Sequence, residues 1–277
     1  MDNIILKQND ILHKKSKPTF LFPDTTVLSP YISNGSLSTR LFYYRLKETA
    51  QEAHTTSTQL SASLERQLQW RELAYVIGSL TPHFDQMIGN PSCVCSKIPW
   101  LTKSESELMA TRWEKGETGY PAVDAAMNQL KTEGWVHHLL RQLVANFLTR
   151  GSLLVYWKHG RNVFTKYLLD YDWCVNSFSW HWLSCDSFFH QEVESYNPTA
   201  LLKTYDRAGC YIRKYLPVLQ AYPDEFIHEP WEAPLAVQRD AGCVIGVDYP
   251  APIVNHVRAN KENLKKIKKA AKEFYHR

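Results

Sequence analysis

No run of this 277-residue chain approaches the roughly 18 consecutive apolar residues that a membrane-spanning helix needs. Its N-terminus, MDNIILKQNDILHKKSKP, has no long apolar core and no cleavage signal, so neither a secretory leader nor a membrane partner is expected. Cysteine pairs with metal-ligand spacing are missing too. The six cysteines stand at 93, 95, 174, 185, 210 and 243, none in a Cys-x-x-Cys, and Cys93-Val94-Cys95 has no matching pair elsewhere. They read as free thiols of a reducing compartment, cytosol or nucleus, with no metal site. Net charge is small: +4 is too little to mark a nucleic-acid-binding protein by itself, though it leaves room for a basic patch. Alternating strand-like segments are scarce, and the best, 243–247, is short. Internal repeats are absent.

What is present is ordinary globular material rich in rings. Hydrophobic residues make up 44% and charged residues 22%, which excludes global disorder. Aromatics reach 13% with nine tryptophans, enough for stacking surfaces or a cofactor bed. Residues 1–24 form a polar, Lys-rich lead-in; 25–277 read as one folded unit. Segment 25–37 is loop chemistry with a turn at Asn34-Gly35, and a helix then runs through Phe42, Tyr43 and Leu46. Residues 50–62 are a Ser/Thr/Gln-rich surface connection, after which apolar residues recur at Leu64, Leu68, Leu73 and Val76. The stretch 82–99 is irregular, and 104–111 suits a short helix. Pro121 opens a helix that carries Val123, Met127 and Leu130 and stops at Gly134. Further helices are expected over about 135–151, 162–169 and 211–219, with loops after Trp182. The end, 259–275, is a Lys-rich amphipathic helix with Leu264 and Ile267 inward; its composition alone reads as a solvated surface rather than a nucleic-acid arm. The class is all-α.

Several groupings carry possible chemistry. Thr25, Thr26, Val27, Leu28 and Ser29 gather three hydroxyls and backbone N–H groups ahead of a helix, a loop that holds phosphate oxygens or merely caps. His138 and Arg141 share a helix face, and Asp170, Tyr171 and Asp172 follow later. An Arg–carboxylate pair could position a flavin ring or serve as a structural salt bridge. Gln67, Trp70, Arg71 and Glu72 form a compact polar-aromatic segment. Asn176, four residues before Trp180, is either a loop amide or a hydrogen-bonding partner for a flavin N5. Trp100, Trp157 and Trp180 each sit in a strongly marked context. A lone indole is most simply a packing residue, but a row of indoles can pass a hole from an excited flavin to the surface.

The segments TTVLSPY (25–31), GSLSTRLFY (35–43), QLQWRE (67–72), GNPSCVCSKIPW (89–100) and TGYPAVDAAMNQLKTEGWVHHLLR (118–141) occur in that order. They are followed by FLTRG (147–151), LLDYDWCVNSFSWHWLSCDSFF (168–189), YIRKYLPVL (211–219) and CVIGVDYPAPIVNH (243–256). Together they resemble the helical FAD-binding domain of the cryptochrome/DNA photolyase family, within it the branch of animal cryptochromes and (6-4) photolyases. The resemblance implies FAD held in a bent conformation. Thr25, Thr26, Val27, Leu28 and Ser29 would hold phosphates; Gln67, Trp70 and His138 would line the cavity. Arg141 and Asp170 would pair beside the isoalloxazine, Tyr171 and Asp172 would contact the cofactor, and Asn176 would face N5. Trp180, Trp157 and Trp100 would form the electron-transfer triad, with Trp180 nearest the flavin. Trp70, Gln142 and Trp182 would line a lesion or partner pocket.

Departures from the family pattern qualify this. The family's N-terminal α/β antenna domain has no counterpart in these residues, so a truncated form or fragment without antenna function is expected. Gln142 replaces the histidine of (6-4) photolyases, and an amide cannot supply a proton at neutral pH. His138 replaces the asparagine of many cyclobutane-dimer photolyases. The fourth aromatic of the animal chain falls at Leu154, with Tyr156 nearby. Asn176 is shared with photolyases and vertebrate-type cryptochromes, where insect-type receptors often carry cysteine. Three extra residues separate Trp100 from Trp113. The leading expectation is a blue-light photoreceptor or circadian signalling protein of nucleus or cytoplasm, with clock or transcription proteins as partners. The alternatives are a (6-4) photolyase acting on a flipped base of damaged DNA and a light-independent transcriptional interaction module.

Overall fold

The computed structural model describes residues 20–21, 25–52, 58–93, 97–184 and 195–275. Their helices are α1 Ser29–Ser33, α2 Thr39–Glu52, α3 Thr58–Leu80, α4 Lys103–Lys115, α5 Pro121–Glu133, α6 His138–Asn146, α7 Trp157–Tyr167, α8 Trp173–Ser184, α9 Ala200–Tyr205, α10 Cys210–Tyr215, α11 Leu235–Asp240 and α12 His256–Tyr275. A π-helical turn, Phe147–Gly151, continues α6. The described residues contain no strand. Segment 243–247 makes a single bridge, Ile245 to Tyr249, because Gly246 takes φ +89° and Asp248 folds back to accept from Val244 N at 2.8 Å. A local turn closed by the Asp248 side chain defeats the β-branched residues there.

The core is organised around α5. Pro121 occupies its first turn, and left-handed Gly134 ends it by donating its N–H to Leu130 O at 3.0 Å. Nearly every turn between those two residues is buried. Inside it Asp124 accepts four bonds: from Thr118 N (2.9 Å), Thr118 Oγ1 (2.6 Å), Gly119 N (3.0 Å) and Tyr249 OH (2.5 Å). Desolvation pushes this carboxyl up to about 6, and the four donors oppose it. The bond to Tyr249 pins 249–252 beside Gly119, where a Cβ would lie 2.5 Å from the Ala251 backbone.

Several expectations need correction. The loop at 25–37 is interrupted by α1, and α2 and α3 extend into the supposed connection at 50–62; residues 53–57 lie outside the described ones. The stretch around Asn176, readable as a loop, is α8: Asp172 Oδ1 accepts from Cys174 N and Val175 N, both at 3.0 Å, and so caps its start. On α3 Leu64 is buried with Leu68 packed beside it, but further along the inward residues are Ala74 and Gly78, while Leu73 and Val76 are exposed. Those small residues let α8 approach closely: a Cβ at Gly78 would stand 2.4 Å from Cys174 Sγ. Of the lead-in, Phe20 is buried edge-on against His137, Tyr205 and Tyr211. The helix expected from about 162 begins at Trp157, and that expected to reach 219 ends at Tyr215.

Candidate functional site

Three helices and a loop converge on residues 170–172, between α7 and α8. Arg141 of α6 grips Asp170 with both terminal nitrogens, Nη1 to Oδ1 at 3.0 Å and Nη2 to Oδ2 at 2.8 Å, a fork matched to a carboxylate. The guanidinium is fixed further by Nε donating to Val136 O at 2.8 Å. The Ser33 hydroxyl, at the end of α1, donates to Tyr171 O, which carries the 25–29 loop to the same place. Asp172 Oδ2 accepts from Tyr75 OH at 2.6 Å and from Arg71 Nη2 at 3.4 Å, both on α3. Burial first, then the hydrogen bond to Asp172, pushes the Tyr75 phenol up to about 12.

Next to Arg141 on α6 stand His138 and Gln142. His138 keeps solvent-exposed surface, yet desolvation, followed by the Arg141 cation, holds its pKa below the ordinary value. Its Nε2 meets Gln142 Nε2 at 2.9 Å, and Gln142 Oε1 accepts from Tyr196 OH at 3.0 Å. Gln67 is exposed on α3. In the loop, Thr25 is exposed, Val27 takes φ +49° and Leu28 N leans on Thr26 Oγ1 at 3.4 Å, with Ser29 starting α1.

Asn176 is turned the other way. Its Nδ2 donates to Arg161 O (3.3 Å) and Thr165 Oγ1 (3.5 Å) on α7, which leaves its carbonyl oxygen without a partner among the described residues.

The tryptophans separate into two groups. Trp180 and Trp157 are fully buried at the α7–α8 contact, where a Cβ on Gly160 would come within 2.1 Å of Trp180 Cη2. Phe164 and Trp113 pack edge-on against Trp180 at 5.1 and 6.3 Å between centroids. Trp157 lies 5.3 Å from Tyr156, and Tyr156 lies 5.9 Å from half-buried Trp100. Leu154, at φ +52°, packs with Ile98, Ile267 and Ala270 beside Trp100. On the opposite face of α8, Trp182 and Trp70 are 45% and 42% exposed and meet at 5.2 Å and 85°, with Phe178 beneath them.

Sequence reading missed Tyr75, Ser33 and His181 as members of this region. His181 Nε2 meets Phe84 O at 2.6 Å and its ring lies 4.4 Å from Trp157. No local pattern announces Tyr75, whose partner is 97 positions away.

A bidentate arginine, a second cation at Arg71, an amide oxygen, a loop of hydroxyls and exposed aromatic faces suit a flat, anionic, ring-bearing cofactor. Among known proteins, a sequence profile of the FAD-binding domain of DNA photolyase matches residues 63–269. A (6-4) DNA photolyase of Oryza sativa subsp. japonica is 48% identical over 90% of this chain and 44% of its own length. Cryptochrome-1 of Gallus gallus is 47% identical over 90% of this chain and 39% of its own. In structure, a Synechocystis cryptochrome aligns over 95% of this chain and 55% of its own at 28% identity and a TM-score of 0.83. A class III photolyase from Agrobacterium tumefaciens gives 0.80 at 28% identity over 97% of this chain and 55% of its own.

Fold and site thus define a helical FAD-binding domain. The chain belongs to the photolyase/cryptochrome family, and it spans less than half the length of the curated relatives it matches.

Proposed function

We propose that this protein binds FAD beside Asp170, Tyr171 and Asp172 and acts as a cryptochrome-like blue-light photoreceptor or circadian signalling protein. FAD, when bound, supplies an electron acceptor that blue light excites. The observation that carries the reading is that Trp180 and Trp157 are both buried at the α7–α8 contact, with Trp157 in ring contact with half-buried Tyr156 and Tyr156 with half-buried Trp100. With FAD bound, Trp180 would be the electron donor to it, Trp157 would refill Trp180, and half-buried Trp100 would carry the hole at the surface end. Arg141, held rigid by Asp170, sets a fixed positive charge at this site and stabilises added negative charge there without reorganising. Loop 25–29 would hold phosphates, and the free Asn176 carbonyl would receive a hydrogen bond. Nucleus or cytoplasm and clock or transcription partners follow as expectations of this reading. The test is the visible absorption of purified protein saturated with FAD, before and after blue light. Yellow protein that bleaches under illumination supports the proposal, and protein that stays colourless removes it.

A second reading rests on a separate observation. The exposed right-angled pair of Trp70 and Trp182 offers an apolar corner to a flat ring, as a (6-4) photolyase would need for a flipped base. Against it stands Gln142, tied to Tyr196 and His138 and unable to act as an acid. Light-dependent repair of a (6-4) lesion by the FAD-loaded protein would decide for this reading.

A further inference from the structure

Helix α12 carries Arg258, Lys261, Lys265, Lys266, Lys268, Lys269 and Lys272 against Glu262 and Glu273. Seven cations and two carboxylates give +5, whereas the whole chain nets +4, so everything outside this helix nets −1. The positive excess of the molecule is concentrated on one element.

How α12 docks decides what that excess can do. Its inward face is spent on the core. His256 Nδ1 meets Ser152 Oγ at 2.8 Å, Asn263 Nδ2 donates to Ser152 O at 3.1 Å, and Ile267 and Ala270 pack against Ile98, Leu154 and Trp100. A helix that lies in a lipid surface inserts its apolar face, and here that face is taken. On the outward side the charges are sorted. Arg258 is paired with Glu262 at 3.0 Å and Lys269 with Glu273 at 4.0 Å. Lys261, Lys265, Lys266, Lys268 and Lys272 remain, all exposed and none in an ion pair among the described residues. Four of these five, Lys261, Lys265, Lys268 and Lys272, follow one another at intervals of four, three and four, which places them on a single line along the helix, with Lys266 off that line.

That line covers about 16 Å at 1.5 Å per residue. Over the same rise, one strand of duplex DNA presents about five phosphates. No aromatic side chain stands among the four lysines, and of the large apolar residues between them Ile267 is buried and Leu264 half-buried, so the strip lacks the aromatic anchors that protein interfaces concentrate, and it is rich in the residue those interfaces avoid. Nucleic-acid interfaces, by contrast, are strongly positive and built on phosphate contacts.

We propose that the outer face of α12 is a sequence-independent docking strip for a nucleic-acid phosphate backbone, separate from the site at residues 170–172. It does not depend on bound FAD.

The test is fluorescence anisotropy of the full chain with an undamaged, labelled duplex across a salt series. Four phosphate contacts give a slope of log K against log salt near −3.6, a loss of roughly a hundredfold between about 50 and 200 mM salt. Replacing all four residues (Lys261→Gln, Lys265→Gln, Lys268→Gln, Lys272→Gln) is expected to flatten the slope by about 3 or more, and the pair Lys261→Gln, Lys268→Gln by about half of that. Circular dichroism checks that each variant is folded; the pair serves if the fourfold variant is not. Duplex binding that is the same for the parent and a folded variant overturns the proposal. It is overturned equally if a glutamate polymer or a phosphatidylserine vesicle binds more tightly than duplex at the same salt, since the partner would then be an acidic protein or a membrane.

Discussion

Trp180 and Trp182 stand two positions apart on α8 and therefore point about 200° apart around the helix. Trp180 is sealed between Gly160, Phe164 and Trp113, while Trp182 lies nearly half in solvent with Trp70 and Phe178 as its companions. One residue type thus sits in two environments. The face toward α7 is buried, and across it Trp157 meets Tyr156 and Tyr156 meets Trp100. The face toward α3 leaves ring surface uncovered. What separates them is the neighbour across the contact: Gly160 allows α7 to close over Trp180, and no element among the described residues closes over Trp182.

The contrast can be broken first on stability. Trp180→Ala empties a buried ring and is expected to cost about 3–5 kcal/mol, whereas Trp182→Ala is expected to cost less than about 1 kcal/mol. Denaturant midpoints measure both, and equal losses would erase the distinction. Gly160→Ala is the next largest effect: its Cβ has no room beside Trp180, so overpacking should cost about 1–3 kcal/mol. Asp172→Ala removes the cap of α8 and the partner of Tyr75, at about 1 kcal/mol. It also returns the phenol from about 12 toward 10, which an ultraviolet titration reads directly. The sign is fixed by the upward shift. In the parent, the Tyr75 contribution to stability is fully present below the ordinary tyrosine pKa and is lost as pH rises through about 12. In Asp172→Ala that alkaline loss shrinks, because burial, the first cause of the shift, remains. The smallest effect tests the row itself: in FAD-loaded protein Tyr156→Leu should slow the appearance of oxidised Trp100 in transient absorption, and Tyr156→Phe, which keeps the ring, should not.

Much of the scaffold was legible because its signals are local. Pro121 and Gly134 bracket α5 in a dozen residues, and Ile267 marks the inward side of α12. The resemblance singled out Arg141 and Asp170, and the geometry brings them together. Other features were hidden for physical reasons. Ala74 and Gly78 carry no apolar weight in a periodicity, yet their smallness is what lets α3 touch α8, so Leu73 and Val76 looked like the inward face. That one oxygen of Asp172 also starts a helix could not be read from its surroundings in the sequence. The bond from Tyr75 to Asp172 spans 97 positions and exists only after folding. In 243–247, an aspartate closing a turn outweighed three β-branched residues.

The most direct measurement is the light-induced absorption change of the FAD-loaded chain beside Trp180→Phe and Trp182→Phe, each checked for bound cofactor by its visible spectrum. Loss of the change in Trp180→Phe, with Trp182→Phe behaving like the parent, is the predicted result. A yellow Trp180→Phe protein that still responds at the parental rate would contradict the assignment of the buried face to electron transfer.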